Sequence, residues 1–174
     1  MATLKPAVSA ADEQTGSPEA PVTLVEFGDY QCSYCGQAYG LIKQLQAEFG
    51  ADLHFVFRNF PLTEVHPLAQ LAALAAEAAG QQGQFWPMHD LLYENQRQLQ
   101  PDLLNTLAGK LGLDSGQFAA ALQSPEVAAK VARDFESGAR SGVNGTPSFF
   151  VNGTKLHSYD GSYESLREVV LRYV

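Results

Sequence analysis

The order of the predicted strands and helices most constrains the fold of this chain. The apolar and β-branched run Val22–Phe27 ends at Gly28-Asp29, which predicts a buried strand. Apolar residues then recur at helical spacing over Tyr34–Phe49, with Gly50 at the predicted helix end. A second strand is predicted at Leu53–Phe57. A strand, a helix and a strand in this order favour a right-handed crossover between parallel strands, as in α/β folds.

The middle of the chain predicts helices almost exclusively, and strand character returns near the C-terminus. Proline at first helical positions and glycine beyond helix ends delimit these helices. They are predicted at Pro67–Ala79, Pro87–Asn95, Pro101–Leu111, Gln117–Leu122 and from Ser124-Pro125 onwards. The strands Ser148–Val151 and Lys155–His157 flank the turn signal Asn152-Gly153 and predict a hairpin. A last helix is predicted at Tyr163–Tyr173 behind a Ser162 cap.

These elements divide the chain into four predicted parts. Residues 1–20 lack periodicity and predict a mobile or loosely docked N-terminal arm. Residues 21–62 form the strand-helix-strand unit, 63–140 a helical insertion, and 141–174 the hairpin with the last helix. A length of 174 residues with 45% hydrophobic content is typical of one soluble globular domain that needs no structural metal to fold.

Charge and hydropathy exclude two classes of partner. The net charge of −8 argues against nucleic acid, because phosphate binding depends on Lys and Arg. No run approaches the roughly 18 to 20 apolar residues of a membrane span, so we expect no membrane insertion. The first ten residues lack the apolar stretch of a secretory signal, which predicts a cytoplasmic protein. A periplasmic or other extracytoplasmic location is the alternative if a signal was removed.

The two cysteines, Cys32 and Cys35, are three positions apart between the first predicted strand and helix. Unpaired N–H groups and the helix dipole at such a junction lower a thiol pKa from about 8.5 toward about 3.5 to 7.5. Cys32 is therefore the candidate nucleophile, and Cys35, one turn deeper on the same side, the candidate resolving thiol. Half of a zinc site and inert packing remain alternatives, but the four histidines form no pair at metal-ligand spacing. We expect no metal and no organic cofactor.

Glu26 is an unusual residue within an apolar strand. If buried, its pKa would be raised, and it would accept or relay the proton of Cys35. Alternatively, it pairs with a base such as Arg58 or reaches solvent at the strand end. His66 and His89 are more typical of helix ends or interfaces than of catalysts.

Gly145-Thr146-Pro147 directly precedes the strand Ser148–Val151. Proline cannot donate to a sheet, so this position fits a strand start or a sheet edge. An X-Pro bond is one of the few that can be cis, and the residues alone leave both isomers open.

Two separated motifs stand out: Val-Glu-Phe-Gly-Asp-Tyr-Gln-Cys-Ser-Tyr-Cys at 25–35 and Val-Asn-Gly-Thr-Pro-Ser-Phe-Phe-Val-Asn-Gly at 143–153. They resemble the motifs of the DsbA-like thiol:disulfide oxidoreductases in the thioredoxin-fold superfamily. Phe-Arg-Asn-Phe-Pro-Leu at 57–62 is also similar to that family, as is His66-Pro67 before an Ala-rich helix. The likeness covers roughly Asp12–Val174. Two motifs in the right order make it far more specific than a Cys-x-x-Cys alone.

The resemblance implies a thioredoxin-like α/β fold with an inserted all-helical domain, and thiol:disulfide exchange with protein or peptide substrates. It implies that Pro147 is cis and faces the cysteines, and that the backbone of Thr146 pairs with an extended substrate. Glu26 matches the family's acidic residue beneath the second cysteine. Tyr34, inside the motif, is the aromatic residue we expect in a substrate groove. A redox partner is required but not identified by the sequence, and we expect a monomer.

Ser33-Tyr34 departs from the family pattern, since it is neither the Pro-His pair of strongly oxidising members nor the Gly-Pro pair of thioredoxins. These two positions tune thiolate stability, so the direction of electron flow stays open. Two other functions remain alternatives: a chaperone-like module that binds peptides regardless of redox state, and a glutathione-dependent transferase or isomerase. Cys35 counts against the latter, because such enzymes usually lack the second cysteine.

Overall fold

A mixed five-stranded sheet forms the centre of the fold in a computed structural model that describes residues 1–174. The strands are β1 (Glu13–Thr15), β2 (Val22–Gly28), β3 (Leu53–Asn59), β4 (Ser148–Val151) and β5 (Thr154–Lys155), in the spatial order β1-β3-β2-β4-β5. The helices are α1 (Ser33–Phe49), α2 (Ala69–Gly80), α3 (Phe85–Glu94), α4 (Pro101–Lys110), α5 (Ser115–Leu122), α6 (Pro125–Arg140) and α7 (Tyr163–Leu171). Short 3₁₀ helices lie at Gly50–Asp52 and Gln96–Gln98. None of these helices combines the length and the apolar character needed to cross a membrane.

The predicted strand-helix-strand unit is confirmed by the pairing of β2 with β3. The two strands are parallel and in register from the Val22–Leu53 pair to the Gly28–Asn59 pair. On its other side β2 pairs with β4 in antiparallel orientation. The hairpin is also present, with Asn152 at φ 47° and Gly153 at φ 86°. Its second strand, β5, begins directly after this two-residue turn and is shorter than the predicted Lys155–His157.

The two faces of β2 point into different packing layers because its side chains alternate. Leu24 and Glu26 lie on the face covered by α1, α3 and α7, where most buried apolar side chains are found. Val25 and Phe27 lie on the other face, which packs against the aromatic ring of Phe60 and the helix α6. The first face carries both cysteines, which places them and Glu26 in the same layer.

The N-terminal arm is docked on the sheet, contrary to the predicted loose attachment. Its strand β1 pairs with β3 in antiparallel orientation, and Leu4 is buried. Asp12 accepts hydrogen bonds from Arg58 Nε at 2.7 Å and from its Nη2 at 2.9 Å, and both side chains are buried. The interpretation that Arg58 pairs with Glu26 is therefore wrong, because Arg58 and Glu26 lie on opposite faces of the sheet. A polar three-residue strand leaves no periodic signal in the sequence.

Candidate active site

Cys32 and Cys35 lie where the carboxyl end of β2 turns into α1. Cys32 is the N-cap residue of α1, with φ −74° and ψ 122°, and Cys35 lies in the first turn. Both cysteines are free. Cys32 is 5% exposed, whereas Cys35 is 0% exposed and belongs to the main apolar core. Both cysteines are buried, and of the two only Cys32 retains any contact with solvent.

The surroundings of Cys32 stabilise its thiolate. Hydrogen bonds from the Cys35 thiol and from the N–H groups of Cys35 and Tyr34, together with the nearby Thr146 side chain, lower the pKa of Cys32 to about 5, against the effect of burial. The groups of Tyr34 and Cys35 belong to the first turn of α1, where unpaired N–H groups favour negative charge. At neutral pH Cys32 is therefore mainly a thiolate, which is the nucleophilic form.

Cys35 has the opposite character. Burial raises its pKa well above the usual value, as do its hydrogen bond to Cys32 and the negative charge of Glu26. The same hydrogen bond therefore joins a protonated donor, Cys35, to a deprotonated acceptor, Cys32. A pair of thiols with such different proton affinities is suited to successive steps of one reaction.

Glu26 lies beneath the cysteines without a hydrogen-bond partner for Oε2. It is 2% exposed, in the middle of β2, opposite Phe57 of β3 and Phe149 of β4. Burial and the negative charge of Cys32 raise its pKa to about 8. Glu26 is thus mainly protonated at neutral pH when Cys32 is a thiolate, and it neither pairs with a base nor reaches solvent.

Thr146 and Pro147 form the loop that faces Cys32 ahead of β4. The Thr146–Pro147 bond is cis, as the resemblance implied. The carbonyl oxygen of Thr146 lies 3.7 Å from Cys32 Sγ. The buried hydroxyl of Thr146 has no hydrogen-bond partner within the protein. Tyr34, two residues after Cys32, has 67% of its surface exposed, so its side chain is not part of the core.

Sequence reasoning missed the side chains that hold the segment entering α1. Buried Asp29 accepts hydrogen bonds from the N–H groups of Gln31 (2.8 Å) and Leu62 (3.0 Å), and its Oδ2 lies 2.8 Å from His66 Nδ1. Gln96 donates to backbone carbonyls of the same segment. The sequence carries no signal for these contacts, because the partners are backbone groups or distant residues.

Buried His89 lies behind this segment and is not positioned to bind a metal ion. Its Nδ1 is 2.8 Å from the hydroxyl of Tyr30, and burial lowers its pKa to about 3, so the ring is neutral. No group of three or more His, Cys, Asp or Glu side chains is arranged to hold a metal ion.

Replacing Thr146 with valine is expected to raise the pKa of Cys32 by up to about one unit, because the polar hydroxyl that favours the nearby thiolate is lost. The pH dependence of iodoacetamide alkylation measures this pKa, with an expected wild-type midpoint near pH 5. Thr106→Val, on the exposed face of α4, serves as the control and should leave the midpoint unchanged. An equal midpoint in Thr146→Val and wild type would contradict the hydroxyl's contribution.

Replacing Glu26 with glutamine is expected to stabilise the reduced protein by about 3 kcal/mol at pH 7. The folded state holds the Glu26 proton up to a pKa of about 8, whereas a carboxyl in the unfolded chain releases it near 4.5. Folding is therefore penalised increasingly as the pH rises from about 4.5 to about 8.

Urea denaturation at several pH values between 5 and 8 tests the effect at Glu26. The advantage of Glu26→Gln over wild type should grow with pH. Glu64→Gln, which changes an exposed carboxyl group, is the control and should show no such trend. A difference between Glu26→Gln and wild type that is constant from pH 5 to pH 8 would show that Glu26 ionises normally in the folded state.

The architecture is a thioredoxin-like fold that matches DsbA-like structures, and this likeness supports an oxidoreductase class. A crystal structure of a thioredoxin-like oxidoreductase from Silicibacter pomeroyi shares 30% identity and superimposes with a TM-score of 0.80, covering 94% of this chain and 92% of that one. Oxidised BdbD from Bacillus subtilis shares 26% identity with a TM-score of 0.86, covering 99% and 97%. The thiol-disulfide exchange protein alpha-DsbA2 from Wolbachia pipientis shares the fold at 18% identity, with a TM-score of 0.81 and coverage of 95% and 89%.

The chain belongs to the thioredoxin family, since a family model of that description matches residues 9–170. Na(+)/H(+) antiporter NhaA 1 of Salinispora arenicola is 48% identical over 152 residues, which are 87% of this chain and 23% of that protein. The corresponding antiporter of Herminiimonas arsenicoxydans is 43% identical over 154 residues, or 24% of its length. The chain thus spans about a quarter of the length of these curated relatives.

Proposed function

We propose that this chain is a DsbA-like thiol:disulfide oxidoreductase that exchanges disulfides with protein or peptide thiols through the pair Cys32–Cys35. The observation that carries the proposal is the asymmetry of the two thiols. Cys32 retains a small exposed surface and has a pKa of about 5, whereas Cys35 is fully buried in the core and its pKa is raised. This asymmetry disfavours an inert pair, because packing alone requires neither a stabilised thiolate nor a shared hydrogen bond.

Exchange proceeds in two steps. In the reducing direction the Cys32 thiolate attacks one sulfur of a substrate disulfide, the substrate S–S bond breaks, and the other substrate sulfur leaves as a thiolate. Cys35 then loses its proton and attacks Cys32 Sγ. The bond between Cys32 and the substrate breaks, the second substrate thiolate leaves, and the Cys32–Cys35 disulfide forms. The substrate gains two electrons and the protein loses two. The oxidising direction is the reverse.

Glu26 accepts the proton of Cys35 in the second step. Its pKa is raised first by burial and second by the charge of the Cys32 thiolate. That charge disappears once Cys32 is joined to substrate, so the pKa of Glu26 falls in the mixed disulfide. Burial, the larger cause, persists, but a larger fraction of the Glu26 carboxyl groups is then ionised and able to accept the proton of Cys35.

Substrate is held at the cis-proline loop. The backbone of Thr146 lies ahead of β4 and outside the sheet pairing, so it can pair with an extended peptide whose sulfur approaches Cys32. Pro147 follows Thr146 in this loop, and exposed Tyr34, two residues after Cys32, supplies apolar surface for the substrate. A redox partner protein, which must itself exchange electrons with a dithiol, returns the Cys32–Cys35 pair to its starting oxidation state after each reaction.

The reduction potential tests the proposal and its direction. Thiolate pKa values of about 3.5 and about 7 accompany potentials of about −120 mV and about −270 mV in DsbA and thioredoxin. A pKa near 5 for Cys32 therefore predicts an intermediate potential, measured by equilibration with defined glutathione mixtures. Absence of an intramolecular disulfide at every ratio would favour the redox-indifferent binding module. Conjugation of glutathione to an electrophile would favour the transferase alternative.

A further inference from the structure

Gln96 joins the segment after α3 to the turn that presents Cys32. Its Nε2 donates to the carbonyl oxygen of Tyr30 at 2.8 Å and to that of Cys32 at 2.7 Å. The Cys32 carbonyl also accepts the first intrahelical hydrogen bond of α1, from Gly36 N at 3.1 Å. One amide group thus bridges the carbonyls on both sides of Gln31, directly before the helix begins.

Gly36 makes room for the Gln96 amide. A Cβ built on Gly36 would overlap with Gln96 Oε1 and lie 3.1 Å from its Cδ. The side chain of Gln96 therefore lies flat against the first turn of α1. On its other side Gln96 begins the 3₁₀ helix Gln96–Gln98, next to Asn95, whose side chain donates to the carbonyl of Leu91 at the end of α3. The amide position is thus set by α3 and not by solvent.

We infer that Gln96 is a positioning residue that holds the Cys32 thiolate against the N–H groups of the first turn of α1, so that the helical segment after α3 tunes the redox pair. This inference rests on the proposed function. The N–H groups of Tyr34 and Cys35 can donate to Cys32 only if the backbone from Tyr30 to the first turn of α1 retains its conformation. Gln96 holds that backbone conformation by its hydrogen bonds to two carbonyl groups. It therefore stabilises the charged thiolate more than the neutral thiol or the disulfide.

Two variants of Gln96 test the inference, with iodoacetamide alkylation against pH and the glutathione equilibrium as readouts. Gln96→Ala removes both hydrogen bonds, and should shift the equilibrium about threefold to tenfold toward the disulfide while raising the alkylation midpoint. Gln96→Glu keeps the shape of the side chain but places a carboxylate against two carbonyl oxygens. It should therefore shift the equilibrium further toward the disulfide than Gln96→Ala does. Gln98→Ala, an exposed glutamine of the same 3₁₀ helix, is the matched control and should stay within about 1.5-fold of wild type.

Gly36 supplies an independent test through a double-mutant cycle. Gly36→Ala should displace the Gln96 amide and reproduce most of the Gln96→Ala shift, because the two side chains compete for one space. In Gly36→Ala/Gln96→Ala that competition is gone. The combined shift should then be close to that of Gln96→Ala alone, well below the sum of the single shifts.

Two outcomes would overturn the inference. One is a lower thermal stability of Gln96→Ala in both redox forms with an unchanged equilibrium and midpoint, which is the behaviour of a purely structural residue. The other is additivity of the Gly36 and Gln96 shifts. Failure of the proposed function is distinguishable, because wild type would then form no Cys32–Cys35 disulfide, whereas the alkylation midpoint would still report the effect of Gln96 on the thiolate.

Discussion

Replacing Cys32 with serine is expected to slow disulfide exchange about a thousandfold or more, measured as the rate of reduction of a fluorescent peptide disulfide. The serine hydroxyl stays protonated at neutral pH, whereas Cys32 is mainly a thiolate with a pKa of about 5. Cys35 cannot take over, because it is 0% exposed and its pKa is raised. Full turnover in Cys32→Ser would rule out the proposed reaction.

Cys35→Ser is the matched variant for this experiment. It keeps the nucleophile but removes the thiol that resolves the mixed disulfide, so the protein should accumulate covalently attached peptide. Mass spectrometry of the unreduced protein should detect one peptide bound per chain, at Cys32. The two variants therefore distinguish loss of the attack on the substrate disulfide, in Cys32→Ser, from loss of substrate release from the mixed disulfide, in Cys35→Ser. Attachment of peptide to Cys35 in the Cys32→Ser variant would contradict the proposed order of steps.

The largest expected effect on stability follows from removing the partner of Arg58. Asp12→Asn leaves a guanidinium that is 2% exposed without a charged partner, and should lower the free energy of unfolding by about 3 to 5 kcal/mol. The remaining acceptors of Arg58 are neutral: the carbonyls of Pro6 and Ala7 and the hydroxyl of Ser137. Urea denaturation measures the loss.

Asp90→Asn is the control, because Asp90 pairs with Lys43 at the surface, where the side chains are 29% and 45% exposed. Its loss should lower stability by less than about 1 kcal/mol. Limited proteolysis of Asp12→Asn should show whether the arm before β2 is cleaved sooner than in wild type, since detachment would let water reach Arg58. Equal stability losses in the two variants would mean that the Arg58–Asp12 pair behaves as a surface pair.

The sequence predicts elements whose pattern is local. β2, α1 and β3 follow from apolar spacing and from a glycine at the helix end, and the structure confirms each of them. The strand β1 was missed because the polar residues Glu13–Thr15 pair only with a strand about forty residues away. Pairing of this kind depends on which edge of a sheet is free, and that is settled by the tertiary fold.

Some residues of the candidate site can likewise be predicted from the sequence, and others cannot. Cys32 and Cys35 stand out in the sequence because of their spacing at a strand-to-helix junction, and Pro147 because a proline opens a strand. Glu26 stands out as a charge in an apolar run, although its burial without a partner required the structure. Asp29 and Gln96 give no sequence signal. Their hydrogen bonds reach backbone groups up to 66 positions away, and any residue type offers such groups.

The path of the N-terminal arm has a consequence for self-association. Ala2 and Leu4 hydrogen-bond to Lys155 and Gly153 along the outer side of β5, and β1 lies along the outer side of β3. One continuous segment therefore covers both open edges of the sheet. The strands left outermost are short, and unpaired strand edges are where chains add to one another in aggregates. Loss of the arm would expose seven-residue β3 as a template for a foreign strand.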